Sequence, residues 1–238
     1  MAKLKVLCAR SMHQVVGTLA DGFRRTSGHE VEIDFATVGA LAKKLDAGER
    51  ADVVISSTPA IDRLENADAL VAGSRTDIAT TRIGVAVRDG STAPDISSPQ
   101  AFRQALIAAR AIAFSDAAVG GSAGVHLARL FVELGLADEI KRKGMPQQSG
   151  GEVAARVASG EADIGMTLIA EIVPVKGARV AGPLPPPLGN DAAYCAAVMR
   201  ACGVPDAGRA FIATLTDPAH RKAWQAAGFD RPDGDRAG

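Results

Sequence analysis

The stretch "LDAGERADVVIS" (45–56) is answered further along the chain by "VASGEADIGMTL" (157–168). Each reads as a helix end, a glycine, a glutamate, an Ala-Asp pair and then a buried apolar strand. Gly48 and Gly160 fall just past the helix, where a left-handed residue ends the spiral and glycine meets no Cβ penalty. Two lobes built alike produce such an echo, and that expectation organises the rest of the chain.

Working outward, short apolar β-type runs alternate with amphipathic helical segments. Strands are predicted near 5–9, 31–36, 52–56, 83–88, 111–115, 163–168, 179–184 and 194–199. The segments between them, among them "MHQVVGTLADGFRRTS", "AGVHLARLFVELGL" and "GEVAARVASG", carry helical spacing. Strand–helix alternation of this kind predicts an α/β fold, each lobe a mainly parallel sheet flanked by helices. "ATTRIG" (79–84) reads as loop-like sequence returning to strand, and the three prolines of "PPPLGNDAAY" (185–194) stiffen a second connection. Lobe one is therefore expected over 1–80 plus 190–238 and lobe two over 81–189. Hinges near 79–84 and 185–193 would leave a cleft between the lobes.

The charge balance narrows the partners. Lys plus Arg and Asp plus Glu are both 27, so no net field steers the chain to nucleic acid or to anionic lipid. Any anion binding has to be local. Cys8, Cys195 and Cys202 stand in no metal-type or C-x-x-C spacing, so neither a zinc site nor a disulfide framework is expected, and no cofactor is called for. The start "MAKLKVLCA" runs straight into a strand, with no apolar stretch of signal or transmembrane length. The expectation is a periplasmic protein if a signal was removed and a cytoplasmic one otherwise, with no insertion into the membrane in either case.

Ligands of open α/β sheets gather beyond the carboxyl ends of strands, where helix N-termini present N–H groups and a partial positive charge. Four segments fit. "CARSMHQ" offers Ser11 with Arg10 and His13 beside it; "DFATVGALA" offers Thr37, Val38 and Gly39. "GGSAGVH" offers Gly121, Ser122, Ala123 and Gly124, with Ser122 read as the cap of the helix carrying His126. "QQSGGEVAA" offers Gly150 and Gly151, whose missing Cβ atoms would let backbone N–H groups approach an anion. Ser57, Ser115 and Thr167 close three strands, and Arg82 sits in "TTRIG", so these join the candidate ligand set.

Nucleotide sites are excluded by spacing. "GGSAG" lacks the Gly-Lys-Ser/Thr of a P-loop, and no strand is followed by G-x-G-x-x-G. It does spell the G-x-S-x-G of a hydrolase elbow, but the only remote downstream histidine is His220, in a helix that reads as solvent-facing. A catalytic triad is therefore disfavoured.

Taken together, "KVLCARSM", "FATVGALAKKLDAGERADVVIS", "GGSAGVHLARLFVELG" and "AFIATLTDPAHRKAWQAAGF" resemble the type II periplasmic-binding-protein fold, and within it the molybdate-binding proteins of ABC importers. The resemblance covers nearly the whole chain and implies a two-lobed solute-binding protein closing over a small anion. In an exported protein it implies an ABC-transporter membrane component as partner. It assigns ligand roles to Ser11 and to the backbone at Ala123. Where the family has a second serine and a tyrosine, this chain has Val38, next to Thr37, and Leu168. With Arg10, Arg82, His13 and His126 near the expected cleft, the ligand is expected to be an organic polycarboxylate rather than molybdate, because guanidinium groups match carboxylates bidentately. The resemblance extends to aconitate isomerases, which move a double bond within a tricarboxylate. On that alternative His13 or His126 is the catalytic base and no cofactor is needed.

Overall fold

The computed structural model describes residues 1–231. In chain order the first segment carries β1 (Lys3–Ala9), a 3-10 turn (Arg10–Met12), α1 (His13–Ser27), β2 (Glu30–Ala36), α2 (Val38–Asp46), β3 (Val53–Ser57), α3 (Thr58–Asn66) and β4 (Thr76–Arg88). The middle segment carries α4 (Pro99–Ala108), β5 (Ile112–Ser115), a 3-10 turn (Ala117–Val119), α5 (Ser122–Glu133), α6 (Ala137–Lys143) and β6 (Gly144–Gln147). After these come α7 (Gly150–Ala158), β7 (Ile164–Leu168), α8 (Ile169–Ile172) and β8 (Ala178–Pro183). The closing segment carries β9 (Asp191–Val198), α9 (Pro205–Thr216), a 3-10 turn (Pro218–His220) and α10 (Arg221–Ala226). Backbone contacts divide the chain into two compact units, residues 1–80 with the chain from 193 onward (unit 1), and Thr81–Ala192 (unit 2).

In unit 1 the strand order is β2-β1-β3-β9. β1 runs parallel to β2 and β3, while β9 is antiparallel to β3, pairing Ser57 with Tyr194 at one end and Val53 with Val198 at the other. β1 and β3 are almost wholly buried apolar runs, as strands covered on both faces must be. α1 covers one face through Val15, Val16, Leu19, Ala20 and Phe23 and stops at Gly28, whose φ of 70° no β-carbon-bearing residue adopts cheaply. Trp224 of α10 is fully buried and donates its indole N–H to the Leu215 carbonyl at 3.0 Å.

In unit 2 the order is β4-β7-β5-β6, with β8 on the other edge of β4. β5 is parallel to both β6 and β7; β4 is antiparallel to β7. Its core includes Ala86, Ala113, Val153, Val157 and Ile172.

The glycines of the sequence echo behave alike. Gly48 has φ 85° and Gly160 φ 80°, and each is followed by the aspartate that leads into β3 or β7. The segment 79–84 is not a loop. It lies within β4, where Thr80 exchanges both backbone hydrogen bonds with Asp230 at 2.8 Å and Ile83 pairs with Leu168. The β-branched residues Thr80, Thr81 and Ile83 suit extended backbone, which the sequence reading undervalued.

Candidate functional site

The parallel strands of unit 1 all end at one edge of the sheet, and there the residues singled out from the sequence collect. Ser11, in the turn after β1, donates its hydroxyl hydrogen to the Tyr194 phenol oxygen at 3.0 Å. Tyr194 was not foreseen. It reaches this edge because β9 enters antiparallel, with Tyr194 opposite Ser57 at the carboxyl end of β3. Thr37 caps α2, its hydroxyl oxygen accepting from the Ala40 N–H at 3.2 Å. Val38 and Gly39 form the first turn of α2, half-buried. Ser57 stands at the N-cap of α3 but makes no side-chain capping bond.

Arg10 and His13 flank the start of α1 and are exposed. The His13 Nδ1 lies 3.2 Å from the Arg10 carbonyl, so Nδ1 carries the hydrogen when that bond is made and Nε2 is left as acceptor. The ring stands edge-on to Phe35, with centroids 6.2 Å apart. Among the described residues the Arg10 guanidinium has no hydrogen-bonded or ion-paired partner.

Unit 2 gathers its candidates in the same way. Ser115 ends β5, Thr167 lies at the end of β7, and the Ser115 hydroxyl donates to the Thr167 hydroxyl oxygen at 2.9 Å. Thr167 in turn donates to Glu171 Oε2 at 2.8 Å. Leu168, buried at the end of β7, supplies no hydroxyl. The register of β4 on β7, Ile83 against Leu168, places Arg82 just past the carboxyl end of β7. Arg82 is exposed, and among the described residues its guanidinium has no partner either.

The glycine-rich loop differs from its reading in two respects. Ser122 is the first residue of α5 rather than its cap; the cap position belongs to Gly121, which offers no side chain to bond the first-turn N–H groups. α-Helix geometry leaves those groups without intrahelical partners, so the mouth formed by Ser122, Ala123 and Gly124 is suited to an anion. Gly124 itself is required by packing: a Cβ there would stand 2.5 Å from the Asp116 carbonyl oxygen. Gly121 has open space in place of its Cβ.

His126 is engaged by backbone. Its Nε2 lies 2.9 Å from the Leu188 carbonyl, so this half-buried ring ties α5 to the segment after β8. His220 is likewise half-buried, with Nδ1 2.9 Å from the Thr214 carbonyl, and is not the solvent-facing residue the sequence suggests.

The fourth mouth is already filled. α7 begins with a capping box: the Ser149 hydroxyl accepts from the Glu152 N–H, and the Glu152 carboxylate accepts from the N–H groups of Ser149 and Gln148. A Cβ on Gly150 would meet Glu171 Oε2 and Thr167 Oγ1, each at 2.2 Å. The space left by the glycine is taken by the chain's own carboxylate and hydroxyl. Gly151 has open space around its Cβ position.

Burial pushes the thiols of Cys8, Cys195 and Cys202 up from their ordinary range, so all three are poor nucleophiles at neutral pH. The Cys195 thiol donates to Asp77 at 3.0 Å, within unit 1.

Two units, each a mixed sheet with helix starts and small polar side chains collected at strand ends, is an arrangement shared with known proteins. The family description "bacterial extracellular solute-binding protein" matches residues 4–230. The chain belongs to this family. An aconitate isomerase from a Pseudomonas species is 30% identical over 234 residues, covering 95% of this chain and 87% of that protein. The molybdate-binding protein ModA of Mycobacterium tuberculosis is 25% identical over 95% of this chain and 84% of its own length. Among solved structures, the periplasmic molybdate-binding protein of Azotobacter vinelandii superposes with a TM-score of 0.76 at 23% identity, covering 96% of this chain and 99% of that one. The fold is therefore the α/β fold of periplasmic binding proteins. Among the described residues no helix is long and apolar enough to cross a membrane.

Proposed function

We propose that this solute-binding protein takes a small organic polycarboxylate; the candidate ligands are Arg10 and Ser11 among the residues of unit 1 and, taken separately, Arg82 and the α5 mouth among those of unit 2. The observation that carries the reading is the pair of exposed guanidinium groups at the carboxyl ends of β1 and β7, neither of them neutralised among the described residues. A guanidinium presents parallel N–H donors to a carboxylate, whereas a small tetrahedral oxyanion is served by hydroxyl and backbone N–H groups alone. Val38 and Leu168 remove two hydroxyl positions that a molybdate site would use. In an exported form the protein delivers its ligand to an ABC-transporter membrane component.

A second reading, favoured by the 30% identity to an aconitate isomerase over nearly the whole chain, is that the bound tricarboxylate is also turned over. The same residues then hold the substrate, and a proton is moved between two of its carbons without a cofactor.

Calorimetric titration against molybdate, sulfate, citrate and trans-aconitate tests the first reading. Tricarboxylates are expected to bind and molybdate is not. Arg10→Ala and Arg82→Ala are each expected to weaken tricarboxylate binding tenfold or more, as loss of a charge-assisted hydrogen bond of about 1.5–3 kcal/mol predicts. Tight molybdate binding without a response to carboxylates would refute it. Incubation with trans-aconitate, followed for the cis isomer, tests the second.

A further inference from the structure

The dipeptide Asp-Gly occurs three times in the chain, at 21–22, 89–90 and 233–234. The last lies outside the described residues, and the other two stand in opposite surroundings. Asp21 and Gly22 lie inside α1, where helix geometry gives the Gly22 N–H the Thr18 carbonyl as acceptor. The Asp21 carboxylate is drawn to the Arg24 guanidinium, three residues on. Asp89 and Gly90 follow β4 directly, in an exposed turn of unit 2. There the Gly90 N–H donates at 3.0 Å to Oδ1 of its own neighbour Asp89, and among the described residues it has no other acceptor. Gly90 has φ 75°, and the space where its Cβ would stand is empty for 4 Å around.

We propose that Asp89–Gly90 is a modification site, at which the folded chain forms a succinimide and then an isoaspartate, while Asp21–Gly22 is protected by its helix. The Gly90 nitrogen attacks Cγ of the protonated Asp89 side chain. An N–C bond forms, the Cγ–OH bond breaks, the nitrogen gives up its hydrogen, and one water leaves. Water then opens the five-membered ring in one of two ways. Attack at Cγ restores the aspartate. Attack at the former backbone carbonyl carbon cuts its bond to the Gly90 nitrogen and leaves the chain running through the side chain. No electrons are gained or lost, and water is the only co-reactant.

Three features favour ring closure at 89 over 21. The hydrogen bond from Gly90 shows that the Asp89 side chain already lies over the following nitrogen, the orientation that the attack needs. That nitrogen holds no place in a helix or a sheet ladder, so its hydrogen leaves without breaking a structural bond. The missing Cβ removes the bulk that would shield it. The turn is also pinned on both sides. The Asp89 N–H donates to the Gly177 carbonyl at 2.9 Å, the Ser91 N–H to the Arg88 carbonyl at 3.1 Å, and the Arg179 guanidinium to the Ser91 carbonyl at 2.7 Å. Isoaspartate inserts one more backbone carbon between these anchors, at the point where β4 leaves its pairing with β8. The carboxylate it displaces is the group that a methyltransferase specific for isoaspartyl residues esterifies, so the rearranged turn becomes a methylation substrate.

The experiment ages the full folded chain at neutral pH in oxygen-18 water and maps its peptides by mass spectrometry. It reads label uptake together with methyl acceptance from an isoaspartyl methyltransferase. Fragment ions place the label, since Asp89 and Asp95 share one tryptic peptide. Asp89 is expected to gain at least about ten times the label of Asp21, the factor that breaking one helical hydrogen bond imposes. In urea, where the helix is lost, the two should react alike. Asp89→Ser is expected to abolish label and methyl acceptance in its peptide and to leave the melting temperature nearly unchanged, because the lost bond lies within an exposed turn. Equal labelling of Asp21 and Asp89 in the folded chain overturns the proposal, as does label at Asp89 that appears only in urea. Label that persists in the Asp89→Ser peptide assigns the reaction to Asp95 and overturns it too.

Discussion

In unit 1, Asp52 accepts from the Lys5 N–H at 2.8 Å while its own N–H donates to the Lys5 carbonyl, stitching the entry of β3 to β1. In unit 2, Asp163 accepts from the Arg110 N–H at 2.6 Å and donates its N–H to the Ala111 carbonyl, stitching the entry of β7 to the approach of β5. The scaffold is repeated down to the role of one aspartate. The far ends of the same strands are not repeated. Unit 1 ends in hydroxyls, with Ser11 bonded to Tyr194, and unit 2 in hydroxyls that lead to a carboxylate, Glu171. The comparison teaches that the two units share their strand entries and differ at their strand exits, so the two ends of one strand answer to different constraints.

The largest effect is expected inside the unit 2 mouth. Gly124→Ala pushes a methyl onto the Asp116 carbonyl, backbone that has no rotamer to yield, and should cost about 1–3 kcal/mol and several degrees in Tm. Gly121→Ala, one turn-start away with open space, should leave Tm unchanged. Thermal melts of the pair separate packing from ligand roles in the loop. Next come the matched aspartates. Asp52→Ala strands the part-buried Lys5 N–H and should lose about 1–3 kcal/mol in urea unfolding, whereas Asp163→Ala leaves the exposed Arg110 N–H to water and should lose about 0.5–1.5 kcal/mol. A loss in one unit only breaks the equivalence of the units. The exposed Arg110–Asp163 ion pair adds little to this.

His126→Ala removes the bond to Leu188 and should cost about 1 kcal/mol, whereas His13→Ala, exposed in unit 1, should cost none. The smallest effect is expected for Tyr194→Phe, which takes the acceptor from Ser11 but keeps the buried ring against Phe229; stability should fall by no more than about 1 kcal/mol. A large drop would show that the phenol does more in unit 1 than receive that one bond.

How much of this was legible in the sequence follows from the range of each interaction. The strands with apolar runs and the two left-handed glycines were readable because their signals are local. β6, "GMPQ", was missed: it is an edge strand of its sheet, short and interrupted by Pro146, so it has neither an apolar run nor a full ladder to declare it. The Ser11–Tyr194 bond joins residues 183 apart and arises only from the antiparallel entry of β9, so no spacing could reveal it. Gly150 was flagged for close approach of a ligand to the backbone; the atoms at its Cβ position are those of Glu171 and Thr167, which stand in no motif with it.

The division of the chain has a consequence for how the protein is made. Unit 2 is one unbroken run, Thr81–Ala192, whereas unit 1 joins its first eighty residues to the later segment that carries β9, α9 and α10. A ribosome finishes unit 2 while β3 still lacks β9 and α1 still lacks the α9 that packs on it. Domains fold as units during synthesis, so unit 2 is expected to mature first, and unit 1 to wait, its central strand unpaired on one side, until the end of the chain emerges.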